Sequence, residues 1–142
     1  MCAGIARAGT IAALMAFASA AANSLLIPGL YQVEVRIVLP NVQNAAAPVV
    51  VTQCVSAADL DSGRAFSLLS ANPLKNCDLL DYQMTDGAAT YRIACPGPNR
   101  GRALAAFETT ATTYRGSIKM DMGAKNMTMS ETQAGKRIGD CH

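Results

Sequence analysis

The sequence predicts an all-β protein: an antiparallel curved sheet of about seven strands, a sandwich or half-barrel, with one short helix. Three observations carry this. Apolar and polar residues alternate strictly in stretches such as "GLYQVEVRIVLP", and a period of two marks a strand with one buried face. Turn chemistry punctuates the alternation, as at Asp86-Gly87 and in "PGPNRGR". A helix start signal occurs once, at Ser56.

Residues 1–22 read as a secretory signal peptide rather than as part of the fold. Arg7 supplies the positive charge, Ile11 to Ala18 the apolar run, and Ala18-Ser19-Ala20 or Ala20-Ala21-Ala22 the small-residue cleavage site. The apolar run falls short of the roughly 20 residues of a spanning helix, so no stable membrane span is expected after cleavage. Cys2 precedes that run and leaves with the peptide. Residues 23–142 then form a single domain, periplasmic or secreted.

Within it, the first strand places Tyr31, Val33, Val35, Ile37 and Leu39 on one face, with Gln32, Glu34 and Arg36 opposite. Pro40, lacking an N–H donor, ends it. "NVQNAAAP" is a loop and "VVVTQCV" a second strand. Ser56 followed by Asp59 is an approximate capping box, opening a short or broken helix weakened at Gly63 and closed by Asn72-Pro73. "CDLLDYQMTDGAATYRIAC" is a hairpin turning at Asp86-Gly87, a pair suited to a type I′ turn. That register sets Tyr82 against Tyr91 and Leu80 against Ile93, and leaves Cys77 one residue short of Cys95. A bulge or a three-residue loop is needed to bring the two cysteines together. "ALAAFETT" with "TTYRGSIKMDM" makes the next hairpin, and "NMTMSETQAGKRIG" is the last strand.

Charge and composition exclude several function classes. The chain has 12 basic and 10 acidic residues; with Arg7 removed the signs nearly balance, which argues against nucleic acid or an anionic membrane as partner. The sole histidine, His142, is the final residue. That removes Ser/His/Asp, Cys/His and histidine-based zinc arrangements. Asp78 and Asp81, three apart on a strand, face opposite ways and make no acid/base pair. Arg100 and Arg102 in the "PGPNRGR" loop read as a solvated basic loop. No enzyme activity and no cofactor is expected.

The feature with most chemical content is "SIKMDMGAKNMTMSE", with four methionines in ten residues. If Gly123 to Asn126 turn, Met122 faces Met127 and Met120 faces Met129, on the face that also carries Tyr114 and Ile118. Thioether clusters select Cu(I), so Met120, Met122, Met127 and Met129 define a metal site as the alternative reading. Core packing needs less, because methionine fills irregular gaps. An apolar ligand surface made of Tyr114, Ile118, Met120, Met122, Met127 and Met129 lies between the two.

The motifs "PGLYQVEV", "TQCVSAADL", "DGAATYRIAC", "TYRGSIKMDM" and "GKRIGDC", in that order and spacing, resemble a bacterial family of exported proteins, domain-of-unknown-function family 3617. The resemblance covers nearly all of residues 28–141. It implies export, four paired cysteines, an antiparallel β fold and no established activity. The chain departs from the pattern in "NVQNAAAP", where relatives often carry methionines, and at Tyr91, where they often carry tryptophan. A metal site shared across the family would lack that loop's contribution here.

Four exported cysteines allow three pairings. The favoured one joins Cys77 to Cys95 locally and Cys54 to Cys141, tying the chain's end to its second strand. The functional expectation is a non-enzymatic envelope or secreted module that binds an apolar small molecule or an envelope protein. Periplasmic Cu(I) binding through the methionine hairpin is the alternative.

Overall fold

The computed structural model describes residues 25–42, 47–97, 100–123 and 127–142. The signal-peptide segment lies outside the described residues, as do residues 43–46 of the "NVQNAAAP" loop. Seven strands follow in order: β1 Gly29–Val38, β2 Val49–Val55, β3 Asp78–Thr85, β4 Ala88–Ala94, β5 Arg102–Thr109, β6 Thr113–Asp121 and β7 Thr128–Gly139. All belong to one antiparallel sheet ordered β2-β1-β7-β6-β5-β4-β3. It is not closed, since β2 and β3 are its two edges.

The helical segment between β2 and β3 is short and broken, as the sequence suggests. Helix α1, Ala57–Ser62, has the full capping box: the Ser56 hydroxyl accepts from the Asp59 amide, and Asp59 accepts from the Ser56 amide. The Ser56 hydroxyl also donates to the Asp59 carboxylate at 2.6 Å, and this bond first, then that from the Ser56 amide, holds the carboxyl below its ordinary range. Gly63, at φ 78°, closes the helix in the left-handed region that glycine tolerates. Two 3₁₀ turns follow, Arg64–Phe66 and Pro73–Asn76.

This segment lies against the inward face of the sheet and completes the core. Phe66, fully buried, sits edge-on to Tyr114 with centroids 5.3 Å apart and 5.2 Å from Phe107. Leu68 and Leu74 are buried beside it. Glycines opposite the large rings make room for them. Gly135 pairs with Tyr114 and Gly116 with Phe107; a Cβ on Gly135 would stand 2.2 Å from the Tyr114 ring, and one on Gly116 2.5 Å from that of Phe107.

The β3–β4 hairpin departs from the expected register in an instructive way. Thr85 pairs with Ala88 around Asp86-Gly87, but only Gly87 adopts positive φ. The turn is therefore not the doubly left-handed type I′. Between Leu80 and Gln83 the ladder shifts by one residue. Asp81 sits there at φ 53°, and its carboxylate bonds the Arg92 guanidinium at 2.6 Å. Beyond the bulge, Leu79 rather than Leu80 faces Ile93, and Leu80 faces Arg92. The same shift carries the ladder on to Asp78 opposite Ala94, which brings Cys77 level with Cys95.

Both favoured cysteine pairs are formed. Cys77 and Cys95 have Cα atoms 4.9 Å apart, and Cys54 and Cys141 5.6 Å apart. They staple opposite ends of the sheet. The first lies where β3 begins and β4 ends, at the end of the sheet where β6 ends and β7 begins; the second lies where β2 and β7 end. The loops they close span 18 and 87 residues. By chain entropy the shorter bridge contributes ~3 kcal/mol and the longer ~4.5 kcal/mol. Removing the pair Cys54/Cys141 as alanines is therefore expected to lower urea-unfolding stability more than removing Cys77/Cys95. The reverse order would show that native geometry, not loop length, sets the contribution.

Candidate functional site

Tyr114, Ile118 and Met120 alternate along β6 onto the inward face, as the sequence predicts. That face, however, is closed rather than open. Tyr114 is 2 % exposed, Ile118 0 % and Met120 2 %, because the chain from Arg64 to Asn76 covers them. Met122 and Met129 are half-buried against the same core, and Met127 is exposed. Met120 does pair with Met129, and the Met122 amide donates to the Met127 carbonyl. Residues 124–126 of the turn lie outside the described residues.

What closes the face is a polar clamp. β7 places Glu131 and Gln133 inward, in step with Met129. The fully buried Glu131 carboxylate accepts the Leu69 amide at 2.9 Å, the Ser70 amide at 3.1 Å and the Ser70 hydroxyl. Gln133 donates to Glu131 at 2.7 Å and to the Ser67 carbonyl at 2.8 Å. From β2, Gln53 donates to the Ala65 carbonyl and to the Tyr114 hydroxyl, which in turn donates to Gln133. Tyr91 donates to the Phe66 carbonyl at 2.6 Å. Burial pushes the Tyr91 and Tyr114 hydroxyls well above the ordinary tyrosine range. The neighbouring Glu131 charge adds to both shifts, and Tyr31 adds to that of Tyr114. No buried side-chain nitrogen or oxygen among the described residues lacks a partner.

Asn72 ends this segment and meets the methionines. Its Oδ1 accepts the Leu74 amide, while its Nδ2 points at the sulfurs of Met120 at 3.3 Å and Met129 at 3.8 Å. The two thioethers thus converge on one amide group. Among the described residues there is no group of three His, Cys, Asp or Glu able to hold a metal ion. His142 lies exposed at the terminus, and the four cysteines of the domain are paired.

An open site does exist, on the rim and outer face at the Cys77–Cys95 end. A single ladder row crosses six strands there: Val38, Ser130, Lys119, Leu104, Arg92 and Leu80, each paired with the next. This row lines a cleft of about 1230 Å³ that also takes in Pro40, Arg100, Arg102 and Asp121 and reaches Met129. Leu104 is 62 % exposed, with Val38 and Leu80 also exposed. Arg92 is tied to Asp81 and Arg102 to Asp121, whereas Lys119 makes no ion pair among the described residues. Asp121 is held below its ordinary range by the Gly123 amide and then by Arg102.

The family model described as "Protein of unknown function (DUF3617)" matches residues 26–141. The chain belongs to this family. No curated protein and no solved structure matches it. The two disulfides fit an oxidising compartment outside the cytoplasm, and no helix among the described residues is long and apolar enough to cross a membrane.

Reading the chain by motif misses both the clamp and the cleft. The clamp left a signal, since Glu131 and Gln133 share Met129's strand parity and so point a carboxylate and an amide at the core. The cleft left none, because its row is assembled from six strands distant in sequence.

Glu131→Ala would remove the shared acceptor of four donors, the Leu69 and Ser70 amides, the Ser70 hydroxyl and Gln133, and is expected to cost about 3 kcal/mol. Glu108→Ala, removing an exposed pair with Arg115, should change stability by no more than about 0.5 kcal/mol. Equal losses in urea unfolding would show that the clamp is incidental. The tyrosines give a pH prediction. A phenol whose pKa is higher folded than unfolded stabilises the fold fully below the unfolded pKa of about 10, and loses that contribution as pH rises toward the folded value. Tyr91 and Tyr114 should therefore ionise only as the protein unfolds in alkali. Burial also raises Tyr31 and Tyr82, so phenolate absorbance and circular dichroism, followed together, should show at least two of the four tyrosines titrating within the unfolding transition; all four titrating before it would contradict the burial.

Proposed function

We propose that this is an exported, non-catalytic binding module, periplasmic or secreted, which holds an apolar small molecule in the rim cleft. Export is supported by the charge, apolar run and small residues of residues 1–22 and by the disulfides. The observation that carries the binding reading is Leu104, a large apolar side chain left exposed in the wall of the cleft. A cleft whose wall joins apolar side chains such as Val38, Leu80 and Leu104 to a set of charged groups at fixed positions is the kind of surface that orients a small molecule. The inward face offers no comparable room, since Phe66, Leu68 and Leu74 fill it.

A non-catalytic role is supported by the state of the titratable groups. Glu131 is engaged by four donors, and Asp59, Asp81 and Asp121 are in ion pairs. Cu(I) held by Met120, Met122, Met127 and Met129 would require Asn72 to leave two sulfurs and Met127 to turn inward. The cleft requires no such change.

The test uses a solvatochromic apolar dye, whose emission is easily separated because the chain has no tryptophan. Wild type should bind the dye, and Leu104→Asp should weaken binding by at least about tenfold with an unchanged melting temperature. Absence of binding, or binding indifferent to Leu104→Asp, would overturn the reading.

A further inference from the structure

The cleft's charge pattern says what kind of apolar molecule it takes. Leu104 lies directly between Lys119 and Arg92 in the ladder row. Whatever covers Leu104 therefore also covers part of both cations. The two are not equivalent. Arg92 carries its own counter-charge in Asp81, 2.6 Å away, and Arg102 likewise has Asp121 at 3.2 Å. Lys119 has no carboxylate partner among the described residues. Its cross-strand neighbours are Ser130 and Leu104. Arg100, on the loop at the cleft's edge, donates to the Gly97 carbonyl and makes no ion pair among the described residues.

A wholly apolar ligand seated on Leu104 would strip water from the Lys119 ammonium and return nothing to it, which opposes binding. A ligand that brings one negative group to Lys119 turns the same desolvation into a charge-assisted bond. A cationic head would meet Lys119 and Arg100 unshielded. Asp78, also in the cleft wall, lies in the neighbouring row, opposite Ala94 on the β3 edge strand, three strands away from Lys119.

Resting on the cleft reading above, we infer that the ligand is a single-chain anionic amphiphile. Its carboxylate or phosphate head is held by Lys119, with Arg100 beside it, and its alkyl tail lies over Leu104 toward Leu80. The neutralised arginines hold the cleft's shape without competing for the head, and Lys119 supplies the selectivity.

Three ligands with one tail and different heads separate the possibilities: decanoate, decanol and decyltrimethylammonium, each titrated below its micelle concentration by displacement of the apolar dye. Decyl phosphate in a fourth arm separates the two head chemistries, and acetate and inorganic phosphate test the head alone. Decanoate or decyl phosphate should bind about five- to tenfold tighter than decanol at low salt, and the margin should shrink as salt rises. Lys119→Met should erase the margin while leaving decanol affinity equal or better, and Lys119→Glu should move the preference to the ammonium ligand. Both changes are at an exposed side chain, and circular dichroism checks that the fold is kept. Equal affinity for all heads, or a margin untouched by Lys119→Met, would overturn the anionic inference while leaving the cleft in place. Failure of every tailed ligand to displace the dye would overturn the cleft reading itself.

Discussion

The Glu131 carboxylate, buried without exposure and bound to the amides of Leu69 and Ser70, the Ser70 hydroxyl and Gln133, organises the rest of the molecule. A charge at that depth is tolerable only if its lone pairs are filled. The backbone of residues 65–70 fills them and has its own carbonyls satisfied in return by Gln53, Tyr91 and Gln133. A loop that would otherwise bring unpaired peptide groups against a sheet thereby becomes part of the core. Phe66 and Leu68 can then pack on Phe107, Tyr114 and Ile118, and an open sheet gains the second layer it needs.

That clamp also decides where recognition can occur. Filling the inward face removes it as a ligand surface and turns the methionines into its edge: Met120 is packed inside, and Met129 shares Asn72 with it. Apolar surface left uncovered then collects on the other side of the sheet's rim, where Val38, Leu80 and Leu104 stand in one row with Lys119 and Arg92. The methionine hairpin still contributes to the site, but as part of the cleft's margin rather than as a ligand set converging on a metal.

The single-residue bulge in β3 serves both ends of this arrangement. With Asp81 in the left-handed region, the strand re-aims its side chains. Leu79 joins the core against Ile93, while Leu80 turns out beside Arg92 and into the cleft. The bulge brings Cys77 level with Cys95, so one disulfide fastens the end of the sheet on which the cleft is built. It also supplies Asp81 as the counter-charge that keeps Arg92 in place.

By itself the sequence determined whatever depends on neighbours along the chain. Alternation in "GLYQVEVRIV" and "RGSIKMD" fixed which side chains turn inward, because strand parity is local. Ser56 and Asp59 fixed where the helix starts, because capping acts over three residues; its end at Gly63, rather than at Asn72-Pro73, belongs to the structure. The apolar character and cysteine positions gave the strand count and the favoured pairs, and the one-residue misfit at Cys77 required a bulge or a three-residue loop, of which the structure has the bulge. Only the tertiary structure decided that the inward face is closed, since nothing in "RAFSLLSANPLK" announces that its backbone will be bound by Glu131 and Gln133 more than sixty residues away. The cleft was equally beyond reach of the sequence. Val38, Ser130, Lys119, Leu104, Arg92 and Leu80 become neighbours only through five interstrand registers, and a surface row has no periodicity of its own to read.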